Sequence, residues 1–373
     1  MKDAIVIFAA YINPHLGGIE TYIDNLVNKL KQTKYNVIIV TSNFNDVSNF
    51  EETDKLTIIR LPIYNLFKMR YPIFKKNKEY KYLMNKLDNY KIKGIIVNTR
   101  FHLSSHIGAK YAKKKKLPCF LIEHGSNYIT VNSKFWDFFA NRYEMFLTNC
   151  IKKKITAFYG VSKRCNTWLK SIKIQPAGVL YNAVNEELYI DNKKYLKVNK
   201  KIEITYAGRI LVEKGVVNLL EAFNKINQNC ILNIAGDGPI LDDLKKKYKK
   251  DNIKFLGRIN HDEVIKLMAK TDIFVYPSMY PEGLPTSILE AGLMECAIIA
   301  TDRGGTTEVI NDEKYGIIIE ENIDDLEDKL KYLLDNPKII DSMKKNIHKR
   351  IMDNFLWKQT ANHLIKEIEK YGK

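Results

Sequence analysis

Short apolar runs alternate with amphipathic helical patterns along the whole chain, and this alternation limits the folds open to it. Such a pattern is typical of parallel sheets joined by crossover helices. In the first half, the predicted strands are 4–10, 36–41, 56–61, 94–98, 118–122 and 157–161. In the second half, they are 203–207, 230–235, 253–256, 272–276 and 297–301. The fold class is therefore α/β, with two parallel sheets in series.

Two domains also follow from the length, because 373 residues exceed what one hydrophobic core usually serves. The polar, Lys- and Asn-rich stretch 185–201 is the predicted linker. We therefore expect one domain over 1–184 and another over 185–355. The last amphipathic segment, 356–373, is predicted to form a helix that packs back on the first domain.

The net charge of +17 is concentrated in the first half of the chain. Residues 1–190 carry 30 Lys and Arg against 14 Asp and Glu, whereas 191–373 carry 30 against 29. This segregation predicts a polyanionic partner for the first half, either nucleic acid or an anionic membrane surface. A Lys-rich composition of the whole proteome is the alternative, but it does not explain the segregation.

No apolar run approaches the roughly 18 residues that a membrane-spanning helix needs. The run 4–12 ends at Asn13-Pro14 and resembles a first strand more than a signal peptide. The five cysteines are odd in number and scattered, which argues against a disulfide framework or a zinc site. We expect a cytoplasmic protein.

A loop-to-helix turn in the second half carries two carboxylates, Glu282 and Glu290. The turn-rich loop 277–285 follows a buried strand, and a helix is predicted to begin near Thr286. The first N–H groups of a helix attract phosphate or sugar oxygens, and carboxylates accept from hydroxyls. The alternative for Glu290 is a capping box with Ser287.

Two cations, Arg209 and Lys214, follow the strand 203–207. In open parallel sheets, ligands bind beyond the carboxyl ends of the strands, so both side chains are predicted to face a ligand crevice. A diphosphate is the expected counter-ion, because arginine can hold phosphate oxygens bidentately. The alternative is a surface arginine and a helix-start lysine.

Three further turns are candidates for ligand contacts. Gly236 lies in a strand-to-helix turn that allows close backbone approach, with a turn closed by Asp237 as the alternative. Gly17 and Gly18 open a helix after the first strand, where bare backbone could meet an anionic group. His124 follows the strand 118–122 and is either a site residue or a structural histidine.

The chain contains no Asp-x-Asp sequence, the usual metal bridge to a nucleotide diphosphate. We therefore expect no metal and no cofactor. If a nucleotide diphosphate leaves during a reaction, side-chain cations and helix termini must neutralise its charge.

The segment 66–86 mixes aromatic residues with seven cations against the single carboxylate of Glu79. This composition fits an interfacial element on an anionic membrane surface. The alternative is a solvated helix with a half-buried apolar stripe.

Together, several motifs resemble glycosyltransferase family 4. They are Gly17 to Glu20, His124, Tyr206 to Ile210 with Lys214, Gly236 to Pro239, Glu282 to Glu290, and Ala300 to Gly305. The resemblance spans almost the whole chain and implies a GT-B fold, in which two Rossmann-like domains face each other across a cleft. It also implies retaining, metal-independent transfer from a nucleotide sugar.

The resemblance also implies roles for individual residues. Arg209 and Lys214 are expected to bind the donor diphosphate, Glu282 the sugar hydroxyls and Glu290 the ribose. The backbone of Gly283, Leu284, Pro285 and Thr286 is expected to contact the sugar and phosphate. Gly236 is expected to lie in a donor-binding loop, and Arg258 and Ile259 near the base. Gly17 and Gly18 are expected to face the distal phosphate, and His124 the reacting sugar. Ala183 and Arg303 depart from the usual family pattern, which bears on the donor's identity rather than on the reaction class.

The leading hypothesis is a transferase that moves a hexose, with UDP as the expected nucleotide, to a lipid-linked or glycan acceptor in bacterial surface-polysaccharide assembly. A non-catalytic basic protein that binds membrane or nucleic acid is the alternative, although the aromatic residues match no identifiable nucleic-acid module. A third hypothesis is phosphorolysis or epimerisation on the same fold. We expect no nucleic-acid partner, and a peripheral place on the inner face of the membrane.

Overall fold

The computed structural model of the chain describes residues 2–15, 17–44, 47–64, 71–128, 133–196, 201–280 and 283–371, with Lys134 described by its backbone alone. The chain forms two compact units. The first comprises Met1–Tyr181 with Trp357–Lys373, and the second comprises Asn182–Leu356.

The first unit is built on a largely parallel sheet. Its strands are β1 (Asp3–Phe8), β2 (Asn36–Ser42), β3 (Phe50–Glu52), β4 (Leu56–Leu61), β5 (Ile63–Tyr64), β6 (Ile73–Phe74), β7 (Lys91–Asn98), β8 (Cys119–Glu123), β9 (Ala157–Gly160) and β10 (Gly178–Val179). Eight of them form one sheet in the order β10-β9-β8-β7-β1-β2-β4-β3, and β5 pairs with β6. Within the described part of the large sheet, the β3–β4 pair is antiparallel and the other pairs are parallel.

Helices cover this sheet. They are α1 (Gly18–Leu30), α2 (Lys78–Asn85), α3 (Leu103–Lys115), α4 (Lys134–Lys152) and α5 (Lys163–Ser171). The central strand β1 is buried from Ala4 to Phe8, as expected for a parallel strand covered on both faces.

The second unit holds a six-stranded sheet. Its strands are β11 (Ile202–Ala207), β12 (Cys230–Ala235), β13 (Ile253–Gly257), β14 (Ile273–Tyr276), β15 (Ala297–Thr301) and β16 (Ile317–Ile319). Their order is β13-β12-β11-β14-β15-β16, and every pairing is parallel. The helices are α6 (Glu187–Asn192), α7 (Val216–Asn224), α8 (Leu241–Lys247), α9 (His261–Ala269), α10 (Thr286–Leu293), α11 (Thr306–Val309), α12 (Ile323–Asp335) and α13 (Pro337–Asn354).

The final helix, α14 (Trp357–Tyr371), belongs to the first unit. Trp357 is buried and meets the ring of Tyr22 edge-on, with the ring centroids 4.8 Å apart. Near the other end of α14, the Tyr159 hydroxyl donates to Glu367 over 2.6 Å. Apolar packing and a hydrogen bond therefore both attach α14 to the first sheet.

The predicted α/β class with two parallel sheets is confirmed. The predicted linker 185–201 is partly wrong, because it contains α6. The Tyr189 hydroxyl in this helix donates to Glu295 over 2.5 Å, and its ring lies 4.3 Å from that of His348. This helix is therefore packed within the second unit. Among the described residues, no helix is long and apolar enough to cross a membrane.

Candidate active site

The strand order of the second sheet reverses between β11 and β14. The chain moves outward in one direction from β11 through β12 to β13, and in the other from β14 through β15 to β16. Such a switch point leaves a crevice at the carboxyl ends of the two central strands, where ligands bind in open α/β sheets. Arg209 and Lys214 follow β11, and the loop leading to α10 follows β14, so both motifs lie at this edge.

The two loops at the switch point are joined through their backbones. The N–H of Met279 donates to the carbonyl oxygen of Glu213 over 2.9 Å. Gly215 has φ of 72°, and a Cβ at this position would clash with the carbonyl oxygen of Pro277. Glycine is needed here for both the left-handed backbone and the close approach. Lys214 is therefore held on a fixed backbone.

Lys214 does not begin an α-helix, in contrast to the helix-start lysine given as the alternative in the sequence analysis. It ends a 3₁₀ turn, Val212–Lys214, and α7 begins two residues later because Gly215 interrupts the helical backbone. The lysine is half-buried, with its Nζ 5.0 Å from the ring centroid of Tyr280. Arg209 is exposed, and the carbonyl oxygen of Arg209 accepts from the Tyr206 hydroxyl over 2.8 Å.

The turn after β12 packs against the turn after β11. Gly236 has φ of 142°, and a Cβ there would clash with the carbonyl oxygen of Gly208. Asp237 accepts from the N–H of Gly238 over 2.8 Å, which is the local turn closure weighed as the alternative for this motif. Beyond β13, Arg258 is exposed and Ile259 is half-buried.

The backbone before α10 is anchored on two sides. The carbonyl oxygen of Gly283 accepts from the N–H of Gly305 over 2.7 Å, and that of Leu284 accepts from the side-chain amide of Asn182 over 3.0 Å. Leu284 and Pro285 are buried. The helix begins at Thr286 as predicted, and within the described part of the chain no side chain caps it. Its first N–H groups are therefore available to an anionic ligand.

The capping-box alternative for Glu290 is wrong. The N-cap is Pro285, which places Ser287 inside the helix. The Glu290 carboxylate instead pairs with Nε2 of His261 over 2.9 Å. This hydrogen bond raises the pKa of His261 from its ordinary value.

His261 was not among the predicted site residues. The sequence did contain a helix-start signal, Asn-x-x-Glu, at Asn260 and Glu263. In the structure these two residues form the capping box that starts α9. This box places His261 at the first helical position. Glu282 lies outside the described residues, so its predicted role stays a prediction.

In the first unit, His124 lies at the carboxyl edge of the sheet. Its Nε2 is 3.0 Å from Oδ1 of Asn98, and its ring meets Tyr22 edge-on at 4.8 Å. Burial, together with the nearby His102, lowers the pKa of His124 to about 3. The imidazole is therefore neutral at pH 7 and can act there as a hydrogen-bonding group but not as a cation.

A buried ion cluster underlies this edge. Arg100 lies between Glu123 and Glu144, with 2.8 Å between its guanidinium and Glu123 and a direct ion pair to Glu144. All three side chains are at most 5% exposed. The remaining Glu123 oxygen accepts from the N–H groups of His124 and Gly125. No sequence signal pointed to this cluster, because charged residues are normally expected at the surface.

At the predicted glycine turn before α1, a side chain of the protein itself occupies part of the space beside the backbone. Gly17 is the N-cap of α1, and a Cβ there would clash with the carboxylate of Glu20. Glu20 pairs with Nδ1 of His15 over 3.1 Å. Space remains beside Gly18, where a Cβ would meet no described atom within 4 Å.

Part of the basic segment 66–86 lies outside the described residues. In its described part, Leu83 is buried and Tyr80 packs against the core, whereas Tyr82 is 62% exposed. The observed packing therefore matches the half-buried stripe weighed as the alternative. Lys76, Lys81 and Met84 line a cavity of about 520 Å³ between α2 and α3.

Taken together, the second unit combines exposed and half-buried cations, an uncapped helix start and a paired carboxylate at one sheet edge. This arrangement can hold an anionic ligand that also carries hydroxyl groups. Within the described ranges, no group of three His, Cys, Asp or Glu side chains could hold a metal ion.

The chain matches two family models that together span most of its length. Residues 16–188 match the model described as Glycosyltransferase Family 4, and residues 190–350 match Glycosyl transferases group 1. These matches and the two parallel-sheet units define the class as enzymes that transfer sugars. Together the two matches cover most of the chain, which is a family 4-like glycosyltransferase, and the predicted resemblance is confirmed.

Individual proteins are similar over the same span. An uncharacterized glycosyltransferase of Methanocaldococcus jannaschii is 27% identical over 99% of this chain and 99% of its own length. The UDP-Gal:alpha-D-GlcNAc-diphosphoundecaprenol alpha-1,3-galactosyltransferase of Escherichia coli is 26% identical over 74% of this chain and 73% of its own. The structure of HepE from Anabaena in complex with UDP has a TM-score of 0.73 at 15% identity, covering 99% of this chain and all of that chain.

Proposed function

We propose that this glycosyltransferase moves a hexose from a UDP-sugar to a lipid-linked or glycan acceptor, with retention of configuration and without a metal. The observation that carries the proposal is the position of Arg209 and Lys214 in the loop after β11, which is hydrogen-bonded to the loop that leads from β14 to α10 at the switch point of the second sheet. The similar galactosyltransferase of E. coli is named for UDP-Gal and a diphosphoundecaprenol acceptor, and the similar HepE structure contains UDP.

In the proposed complex, Arg209 and Lys214 balance the charge of the departing diphosphate. Backbone N–H groups from Gly283 to Thr286 contact sugar and phosphate oxygens, and Glu290 accepts from the ribose hydroxyls. Glu282 binds the sugar hydroxyls, and Gly236 lies in a loop that contacts the donor. Arg258 and Ile259 lie near the nucleotide base. Arg209, Lys214 and these backbone N–H groups act where negative charge develops on the leaving group, which is usually a large contribution to catalysis.

The first unit is proposed to supply the acceptor side. Gly18, with Gly17, lies near the distal phosphate, and neutral His124 hydrogen-bonds the reacting sugar. As the family resemblance implies, the acceptor is proposed to attack from the face that the diphosphate leaves. The bond from the sugar's anomeric carbon to the phosphate oxygen breaks, and a bond from that carbon to the acceptor oxygen forms. The departing phosphate oxygen takes the acceptor proton.

The proposed setting is bacterial surface-polysaccharide assembly at the cytoplasmic face of the membrane. The lysines of the segment 66–86 are proposed to contact anionic lipid, because Lys76, Lys78 and Lys81 are exposed. Each such cation contributes on the order of 1 kcal/mol near an anionic surface.

A panel of nucleotide sugars tests the donor assignment. We expect one UDP-sugar to raise the melting temperature and to be slowly hydrolysed without an acceptor, because a ligand that binds only the folded state stabilises it. Product analysis with candidate acceptors then separates transfer from phosphorolysis or epimerisation. If no nucleotide sugar stabilises the protein or turns over, the donor assignment is wrong.

A further inference from the structure

The helix α4 presents an aromatic face to solvent. Six large aromatic side chains on it are between 51% and 65% exposed: Phe135, Trp136, Phe138, Phe139, Tyr143 and Phe146. Their spacing of three, four and seven residues places them on one side of the helix. Thr148 and Ile151, on the opposite side, are buried.

The aromatic face is continuous rather than a set of isolated rings. The ring of Phe135 lies 5.4 Å from that of Trp136 and 5.2 Å from that of Phe139. Phe138 and Phe139 are 5.4 Å apart. A contiguous exposed apolar patch of this kind marks an interaction surface.

The helix is firmly attached by its other face. Glu144, which is 4% exposed, pairs with the buried guanidinium of Arg100. The aromatic side chains are therefore carried outward on an element that is fixed to the first unit.

The charge around this face is positive. Arg142 lies on the same side of α4, with its guanidinium 4.6 Å from the ring centroid of Phe138. Tyr143 hydrogen-bonds Tyr71, so the aromatic face adjoins the basic segment 66–86. Lys152, Lys153 and Lys154 follow at the end of the helix. One of the two acids in α4, Glu144, is already neutralised by Arg100.

We propose that α4 docks on an anionic phospholipid bilayer, with its aromatic rings at the boundary between headgroups and acyl chains. Aromatic residues favour this depth, and basic residues bind the anionic headgroups above it. A second copy of the chain is disfavoured as the occupant, because residues 1–190 of each copy carry 30 cations against 14 anions and the two copies would repel each other. The proposal extends the membrane part of the proposed function and does not depend on sugar transfer.

Vesicle co-sedimentation tests the proposal with the full chain. Vesicles of phosphatidylcholine with phosphatidylglycerol are expected to bind the wild type, and the triple variant Phe135→Ser/Phe139→Ser/Phe146→Ser is expected to bind them about tenfold or more weakly. The matched control is Ile190→Ser/Tyr332→Ser/Tyr371→Ser, which removes three exposed hydrophobic side chains elsewhere and is expected to bind as the wild type does. Melting temperatures establish that both variants fold.

Trp136 provides a direct optical readout. It is 63% exposed, whereas Trp357 is buried and Trp168 is half-buried. Anionic vesicles are expected to shift its emission to shorter wavelength, and brominated acyl chains to quench it. Trp136→Phe is expected to remove this signal while most of the co-sedimentation remains.

Three results would overturn the proposal. They are co-sedimentation of the folded α4 triple variant at wild-type level, equal binding to purely phosphatidylcholine vesicles, and a concentration-dependent dimer that the triple variant abolishes. Hydrolysis of a soluble UDP-sugar is measured separately. Vesicle binding without hydrolysis would reject the donor assignment and leave the docking surface standing, and hydrolysis without vesicle binding would do the reverse.

Discussion

The second unit presents the cations Arg209 and Lys214 at the carboxyl edge of its sheet, whereas the first unit buries its edge cation, Arg100, between Glu123 and Glu144. The histidines differ in the same way. His124 in the first unit is kept neutral by burial, while His261 in the second is favoured in its charged form by Glu290.

The two edges share a parallel-sheet scaffold but suit different ligands. Fixed cations on loops joined through their backbones suit an anionic group whose charge grows during the reaction. An edge whose charges are internally paired, with a neutral imidazole beside them, suits hydroxyl groups. The difference agrees with a donor side in the second unit and an acceptor side in the first.

The largest effect is expected from breaking the buried cluster of the first unit. Arg100→Leu leaves two carboxylates buried without their cation and should lower the free energy of unfolding by about 3–5 kcal/mol. Glu144→Gln is the matched control, because it leaves the Arg100–Glu123 pair and should cost less. Urea unfolding measures both, and equal losses would show that the cluster does not act as a charge-balanced unit.

Removing a cation from the second edge should instead affect turnover. Arg209→Ala or Lys214→Ala is expected to lower kcat by about 10²–10³-fold, because each strips charge from the leaving diphosphate. Lys245→Ala, an exposed lysine of α8, should leave kcat unchanged. Near wild-type kcat in either of the first two variants would remove that residue from the proposed mechanism.

The pH dependence of stability should differ between the units. The pKa of His124 is about 3 in the folded unit and about 6.5 in the unfolded chain. Between these values, the His124 imidazole binds a proton only when the chain is unfolded. Stability therefore falls as the pH is lowered, by up to about 1.4 kcal/mol per pH unit for this residue. His124→Asn should make the dependence between pH 5 and pH 6.5 shallower. Urea unfolding of the wild type and of His124→Asn at pH 5 and pH 6.5 measures the two slopes.

The smallest effect concerns the His261–Glu290 pair. The folded pKa of His261 is raised, so its contribution is fully present below about pH 6.5 and is lost as the pH rises through that raised value. The imidazole is 57% exposed, which limits the contribution to about 0.2–1 kcal/mol. Thermal melting of His261→Ala should show this loss near pH 6 and none near pH 9. A loss that is the same at both pH values would mean that the pair acts without its charge.

The sequence predicted the repetitive parts of the fold well, because apolar runs buried on both faces leave a strong signal. It predicted β12 and β15 at their observed residues. It missed β10 and β16, which have two and three residues and give almost no periodicity.

For the site, sequence motifs pointed to Arg209, Lys214 and the start of α10, because strand-end loops are recognisable. Tertiary pairings were not predictable in the same way. The Arg100 cluster joins residues from β8, α4 and the turn after β7, and the six aromatic residues of α4 resemble an ordinary apolar stripe until the helix is placed on the sheet.

Calorimetric titration of UDP into the wild type and into Arg209→Ala/Lys214→Ala tests most directly whether the switch point of the second unit holds the donor diphosphate. If both side chains make charge-assisted hydrogen bonds to phosphate as proposed, the double variant should bind UDP at least about 100-fold more weakly, and its affinity should depend less on salt. The exposed pair Lys245→Ala/Lys246→Ala serves as the control and should bind like the wild type. Wild-type affinity for UDP in the folded Arg209→Ala/Lys214→Ala variant would show that these two side chains do not hold the donor diphosphate.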